Sequence, residues 1–465
     1  MQTMSHHYIP NFREIREEML AEIGVGSVDD LFSDIPPRVR LKGPLNLPPK
    51  MSEQEVRKHV GGLLSKNVPV NRMPTFLGGG IWPHHIPAHV RAIVSRAEFL
   101  TSYTPYQAEV SQGVLQALFE YQSMICELVG LDVANASMYD WPTALGEAAL
   151  MCARLTGRRR FLVPDLMSRD RLSVLRNYSS GAGMEIVEVG HDAGTGQLDL
   201  ESLSRELNDR TAGVYIENPA YLGFLETRAQ EIGEMAHRAG AMFVVGVNPI
   251  SLGLLKPPGE YGADIVVGEG QPLGNPMSFG GPTLGIFACR GDERMIRSMP
   301  GRISGMTKTV DGKTRGFVMA LQTREQHIRR ERATSNICSN ETLCAIAAAV
   351  YLASLGPEGL REVAEICASN ARYLMKRLGG ISGVRVPIFN SPHFNEFTLR
   401  LEGGGISVEV LNSELLKAGI HGGKPLKREF PGLGEASLLC TTEIHAKEDL
   451  DGRVEAVFRV MEGGR

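Results

Sequence analysis

Residues 264–282 read DIVVGEGQPLGNPMSFGGP. DIVV is a short apolar run that ends in a turn, the pattern of a buried strand feeding a loop. The loop is dense in Gly and Pro, so its path is fixed and lies close to other backbone. It holds no lysine, histidine or cysteine, and the nearest lysines are Lys256 and Lys308. Upstream the pattern repeats. RFLV (160–163), EIVEV (185–189), GVYIENP (213–219) and AMFVVGV (241–247) read as strands. Helical stretches separate them near 168–179, at 199–207 and at 227–240, and GIFACR (285–290) follows as a further strand. Strand–helix alternation predicts a mostly parallel sheet covered on both faces, with ligands at the carboxyl ends of its strands. Those ends are ENPAYLG (217–223), VNPISLG (247–253) and the opening loop.

Around this centre the chain divides into three predicted regions. Residues 1–67 form a helical extension and connector. NFREIREEMLAEIG (11–24) has helical apolar spacing, PPRVRLKGPLNLPP (36–49) is extended, and Ser52 with Glu55 makes a capping box that opens a helix to about Lys66. This region is expected to lie across another surface. Residues 68–355 form the large α/β domain, including a helix over PYQAEVSQGVLQALFEYQSMICELVG (105–130) with Val110, Val114, Leu118, Ile125 and Val129 on its apolar stripe. Helices are expected to dominate 322–378. Residues 356–465 form a small α+β domain.

The chain has 465 residues, 43% of them hydrophobic and 22% charged. Its 49 basic and 53 acidic side chains give a net charge of −4, which offers no electrostatic reason for nucleic acid or an anionic membrane as partner. CAIAAAVYLASLG (344–356) is the longest apolar run and falls short of the roughly 20 residues of a membrane span, so it reads as a buried helix. No secretory signal is legible at the start. Seven scattered cysteines without a CxxC pair fit a reducing compartment, so a cytoplasmic protein is expected.

Several features admit chemistry. Gly78–Gly80 lacks the GK[ST] of a phosphate loop and reads as a tight turn. His84 and His85 are adjacent, a poor geometry for one metal, and no metal site is expected. Arg324, His327 and Arg330 recur every three residues, a spacing suited to an anionic group or to a solvated helix face. Tyr103, Tyr106 and Gln107 stand near a helix start, where polar aromatics bind phosphate or carboxylate or simply pack.

Longer stretches carry a resemblance. TSYTPYQAEVSQG (101–113), FEYQSMICELVGLDVANASMYD (119–140), NPISLGLLKPPGEYGADIVVGEGQPLGNPMSFGGP (248–282), RISGMTKTVDGKTRGFVMALQTREQHIRRERATSNICSN (302–340) and HFNEFTLRL (393–401) resemble the glycine cleavage system P-protein, glycine decarboxylase. The match is to the first of the two subunits into which many bacteria and archaea split that enzyme. The resemblance implies the type I fold of pyridoxal-phosphate (PLP) transferases. It also implies a reaction in which glycine loses its carboxyl carbon as CO2 and the aminomethyl group passes to the lipoyl arm of the H-protein. The implied assembly is two copies each of this chain and a paralogous second subunit.

Aligned on the family pattern, Gln271 stands near the cofactor lysine of the second subunit, and Gly246 and Asn248 stand near its aspartate. An amide forms no imine, and neither Gly nor Asn supplies the acid that PLP chemistry uses. The resemblance therefore implies a subunit with PLP in its partner. The residues it implies are lent to the partner's site are Tyr103, Thr104, Tyr106, Gln107, Arg324, His327, Asn336 and Cys338. One departure is Trp141-Pro142, where the family has Gly-Ala after SMYD; the Pro suits a first helical turn, and the Trp is of a size to fill a phosphate pocket. Two other readings stay open: a self-sufficient PLP enzyme using Lys256 or Lys308, and a purely structural pseudoenzyme subunit.

Overall fold

The computed structural model describes residues 12–43, 45–403 and 405–463, so residues 1–11 of the expected extension lie outside the described part. The chain divides into two units, Met1–Val68 and Pro69–Arg465.

The first unit contains two amphipathic helices, Arg13–Ile23 and Glu53–Leu64. The first stops at Gly24, whose φ of 82° only glycine adopts without strain. The second starts at the expected capping box: the Ser52 side chain accepts from the Glu55 amide, and the Glu55 carboxylate accepts from the Ser52 amide. No described residue of this unit is buried.

The second unit is built on a seven-stranded sheet. Its strands are β1 (Val133–Ala134), β2 (Arg160–Pro164), β3 (Glu185–Val189), β4 (Thr211–Glu217), β5 (Met242–Val247), β6 (Ile265–Glu269) and β7 (Gly285–Cys289). They lie in the order β1-β7-β6-β5-β4-β2-β3. The central pairs from β3 to β6 are parallel, and β7 runs antiparallel to both β6 and β1. Strands β4, β6 and β7 are buried at every position, which is why they read as continuous apolar runs rather than alternating ones. A hairpin, β8 (Ile303–Lys308) and β9 (Arg315–Ala320), follows the sheet. The small domain holds an antiparallel sheet of β10 (Val384–Arg385), β11 (Glu396–Leu401), β12 (Lys424–Pro425) and β13 (Ala436–Cys440), ordered β10-β11-β13-β12.

The span Thr342–Leu378 has 37 residues and enough apolar length to cross a bilayer, yet Ala345, Ile346, Ala348 and Tyr351 are buried in the protein core. Its path breaks at Gly356 (φ 62°, ψ −176°), immediately before Pro357. It is therefore a core helix joined to a second helix.

Three sequence expectations are corrected. The helix expected over 105–130 begins at Gln112; Gln107 is extended, Ala108–Val110 form a separate short turn, and Val110 is 76% exposed although it fits the apolar stripe. Val114, Leu118, Ile125 and Val129 are buried as that stripe requires. Helix fills 342–378 as expected but does not begin near 322: residues 322–332 form three single turns, and 333–341 are irregular. Finally, the segment around Phe76, assigned by sequence to the large domain, joins the small one. The Cys440 amide donates to Phe76 O (2.9 Å), the His421 amide donates to Pro74 O (2.9 Å), and the Phe76 ring is buried among Phe397, Leu399 and Leu439. The edge of the small sheet supplies free backbone groups that a loop-like stretch satisfies, which local pattern does not reveal.

Candidate active site

Ligands of open α/β sheets sit beyond the strand ends, where the order reverses. Here that point lies between β2 and β4, and the space is taken by side chains. The cavity bounded by Asp165, Met167, His191, Glu217 and Tyr221 measures about 20 Å³, room for a water molecule.

The filling starts from Asp140. Its carboxylate accepts from the Thr143 amide (2.8 Å) and caps the helix Trp141–Thr156, fixing Trp141 at the first helical position with Pro142 behind it. Trp141 is 2% exposed. Its Nε1 donates to Tyr215 Oη (3.0 Å), and Tyr215 Oη donates to Glu217 Oε1 (3.1 Å). The Arg171 guanidinium lies 3.6 Å above the Trp141 ring, and its Nη1 is 2.7 Å from Glu217 Oε1. The glycine triplet closes over this pair. A Cβ at Gly80 would stand 2.8 Å from Arg171 Nη2, a Cβ at Gly78 would meet the Glu396 carboxylate, and the Gly79 amide donates to Glu396 Oε1 (2.6 Å). This is the physical content of the tight-turn reading of Gly78–Gly80.

PLP at these strand ends would need an amine and an acid. Gln271 is 2% exposed with both ends of its amide bound: Oε1 accepts from the Trp82 amide (3.2 Å) and Nε2 donates to Asn275 O (2.6 Å). Asn248 Oδ1 accepts from the Ile250 amide (3.1 Å) and caps the following turn. A side chain at 246 is excluded, because a Cβ there would lie 2.6 Å from Trp141 Cζ2 and closer still to Tyr215 Oη. Lys256 is exposed and 3.7 Å from Glu260, and Lys308 is exposed at the end of β8. Lys424, which the sequence reading did not single out, donates to Tyr221 Oη (2.7 Å) and pairs with Glu429 (2.7 Å). The residues at these strand ends do not fit the cofactor.

The lent-residue candidates gather elsewhere, in part. Tyr106, His327 and Cys338 line a cleft of about 320 Å³ with Arg302, Glu325, Gln326 and Ile337. Arg302 holds it together: its guanidinium is 4.6 Å from the Tyr106 ring centre, and Nη2 donates to Tyr106 Oη (2.7 Å) and to the Cys338 carbonyl. Nη1 is 3.2 Å from Glu325 Oε2, and Nε and Nη1 make no hydrogen bond. His327 Nδ1 is 3.8 Å from the same carboxylate oxygen. Thr104 Oγ1 lies 3.4 Å from Ser339 Oγ, one residue beyond Cys338. Tyr103, Gln107 and Asn336 are exposed and outside the cleft lining.

Arg324 is turned inward, away from His327 and Arg330. Nε donates to Leu321 O (3.2 Å), Nη2 to Gly301 O (3.0 Å) and Nη1 to Met299 O. It ties the hairpin to the turn before it, because the three-residue spacing falls on single turns rather than on one helix. Arg302 and Glu325 were missed: the pair is separated by 23 positions, and only the fold joins them. Of the adjacent histidines, His84 comes together with Cys367 and Glu443, all within 4.8 Å of one another, a grouping that adjacency in sequence does not reveal. His84 Nδ1 lies 2.7 Å from Glu443 Oε2, with the Cys367 thiol 3.5 Å from the same oxygen. Glu443 also accepts from the His85 amide (2.6 Å), so the cluster acts as a buried polar bridge to the small domain.

Two outcomes follow from the filled strand ends. Trp141→Ala removes a fully packed ring and the support of Arg171, so urea unfolding is expected to show a loss of about 3–5 kcal/mol; a loss below about 1 kcal/mol contradicts the packing. Burial pushes the Glu396 carboxyl up to about 7 from 4.5. The folded chain then holds that proton more tightly than the unfolded one, so stability falls as pH rises through this window. Glu396→Gln removes the titration, so the Tm of the variant relative to wild type is expected to rise between pH 5 and pH 8; a constant difference contradicts it.

The sequence model described as Glycine cleavage system P-protein matches residues 6–455. The probable glycine dehydrogenase (decarboxylating) subunit 1 of Thermococcus kodakarensis is 53% identical over 458 residues, covering 98% of this chain and 99% of the relative. That of Desulfitobacterium hafniense is 47% identical over 454 residues, covering 98% and 100%. A solved glycine decarboxylase (P-protein) of the glycine cleavage system, in inhibitor-bound form, superposes with a TM-score of 0.86 at 44% identity, covering 98% and 100%. A sphingosine-1-phosphate lyase of Burkholderia pseudomallei (TM-score 0.66, 14% identity, 92% and 94% covered) shares the fold, which is type I of the PLP-dependent transferases. By the length and identity of these matches, the chain belongs to the glycine cleavage system P-protein family.

Proposed function

We propose that this chain is the first subunit of a glycine decarboxylase: with a paralogous second subunit it decarboxylates glycine and hands the aminomethyl group to the lipoyl arm of the H-protein. In this reading PLP is held by the second subunit, the assembly contains two copies of each chain, and it works in the cytoplasm. The observation that carries the division of labour is the strand-end site filled by Trp141, Arg171 and Gln271. An enzyme of this fold whose own strand ends are occupied depends on another chain for its reactive centre. The family membership supplies the reaction.

The chain's contribution is the cleft of Tyr106, Arg302, His327 and Cys338. Its chemistry is that of a phenol, an imidazole and a thiol, exposed beside a guanidinium that is spent on the Tyr106 hydroxyl, the Cys338 carbonyl and the Glu325 carboxylate. Such groups orient an anionic or polar part of a ligand held opposite them, and Glu325 keeps Arg302 in place. Thr104 is proposed to set the cleft wall through Ser339, whereas Tyr103, Gln107 and Asn336, being exposed, are free to contact the partner directly. Arg324 is proposed to act only by positioning this segment.

Two alternatives carry less support. A self-sufficient enzyme needs a lysine at the strand ends, and Lys256 and Lys308 are exposed elsewhere. A purely structural subunit has no use for an exposed phenol, imidazole and thiol gathered in one cleft at Tyr106, His327 and Cys338.

Tyr106→Phe removes one hydroxyl from a half-exposed ring and leaves the fold intact. In the assembled complex it is expected to lower glycine-dependent CO2 exchange at least about tenfold, as is Arg302→Met, with sedimentation of the complex unchanged. Full exchange activity in both variants contradicts the lent-residue reading.

A further inference from the structure

Three segments meet at Glu443 and bring together an imidazole, a thiol and a carboxylate; among the described residues no other three metal-ligating side chains come this close. Glu443 stands in the turn after β13, Cys367 in the helical stretch beyond the Gly356 break, and His84 in the loop after the glycine triplet. Contacts outside the trio pin each segment. Asn370, one turn beyond Cys367, donates to Thr442 O (3.0 Å) and to His445 O (3.1 Å), which clamps the Glu443 turn to the helix. Thr442 Oγ1 donates to Pro83 O (2.6 Å), and the His85 amide donates to Glu443 Oε1 (2.6 Å), which clamps the His84 loop to the same turn. Donors held in this way are positioned before any ligand arrives.

The trio's own polar capacity is only partly used. His84 Nδ1 shares a hydrogen bond with Glu443 Oε2, whereas His84 Nε2 is buried and makes none; the imidazole is 1% exposed. With Glu443 Oε1 fixed by the backbone, Oε2 faces both the imidazole and the thiol. Sulfur, imidazole nitrogen and one carboxylate oxygen make a donor set that suits Zn2+; Mg2+ and Ca2+ take oxygen instead. Donor atoms around a tetrahedral zinc stand about 3.3–3.6 Å apart. The sulfur–oxygen separation, 3.5 Å, already has that value, and the nitrogen–oxygen separation, 2.7 Å, opens by about 0.6 Å to reach it. Charge closes as well: a thiolate and a carboxylate carry two negative charges, which one divalent cation cancels, so the filled site buries no net charge.

We propose that His84, Cys367 and Glu443 form a zinc site that staples the loop after the glycine triplet and the helical span 342–378 to the turn after β13. Zinc displaces the proton shared by His84 and Glu443, which moves to His84 Nε2, and the proton of the Cys367 thiol, which leaves to solvent. A water molecule completes the tetrahedron. The site shares no residue with the Tyr106–Arg302 cleft and does not depend on the subunit reading.

The test uses the full chain, stripped with a chelator, in a Cys338→Ser background that removes the exposed thiol. Elemental analysis is expected to find one zinc bound per chain, and zinc at about a hundredfold above its Kd is expected to raise the Tm by about 2–3 °C. Cobalt in place of zinc is expected to give a thiolate-to-metal charge-transfer band in the near ultraviolet. Cys367→Ser is expected to abolish that band, and Glu443→Gln to weaken zinc binding at least about tenfold. A stripped chain that takes up no zinc, or a cobalt complex without the band, overturns the site, and both are read without altering a ligand. Full zinc uptake by both Cys367→Ser and Glu443→Gln puts the metal elsewhere and overturns it too.

Discussion

The Arg171 guanidinium stacked between the Trp141 ring and the Glu217 carboxylate is the contact on which the rest of the site depends. It brings a full positive charge to a place with almost no water. Such a charge is stable only when paired and stacked, and removing one member of a buried pair costs about 3–5 kcal/mol. The ring, the carboxylate and the glycine triplet are therefore mutually required. Trp141 supplies the face, Tyr215 orients Glu217, and Gly78–Gly80 lets backbone approach where any Cβ would collide. The consequence is chemical: the strand ends of a sheet built to bind a cofactor are closed by the protein itself.

Closing that site moves the interest of the molecule to its surface. Tyr106, His327 and Cys338 come together around Arg302, on segments that enter or leave regular structure at this point. The strain there is local. Leu321 precedes the first turn and Arg330 opens the last, with φ of 54° and 53°, a region non-glycine residues seldom occupy. Exposed Tyr103, Val110 and Ile328 neighbour the cleft residues in sequence.

Much of the fold was legible because it rests on local regularities. Apolar runs such as IVV at 265–267 mark strands buried on both faces, Ser52 and Glu55 mark a helix start, and Gly130 marks a helix end. The errors arose where distant partners override local pattern. Tyr106 fits a helix but is drawn out by Arg302, almost two hundred residues away. Arg324 has the spacing of a surface donor but is consumed by three carbonyls. The Phe76 segment has no strand signature, yet it completes the small domain through His421 and Cys440. The candidate cleft was half legible: the polar motifs named Tyr106 and His327 and the family resemblance named Cys338, whereas Arg302 and Glu325 are joined only by the fold. Gln271 and the replacement of Gly-Ala by Trp141-Pro142 were the sequence clues to the filled strand ends, and the meaning of the second depended on Arg171, which carries no motif.

We propose that this chain, with its strand-end site closed by Trp141, Arg171 and Gln271, takes part in catalysis only through a second subunit. The direct measurement is borohydride reduction of the chain with added PLP, alone and with the second subunit, followed by peptide mass spectrometry of both chains. No lysine of this chain, Lys256, Lys308 and Lys424 included, is expected to be labelled in proportion to protein, whereas a lysine of the second subunit is. Stoichiometric labelling of any lysine in this chain would contradict it.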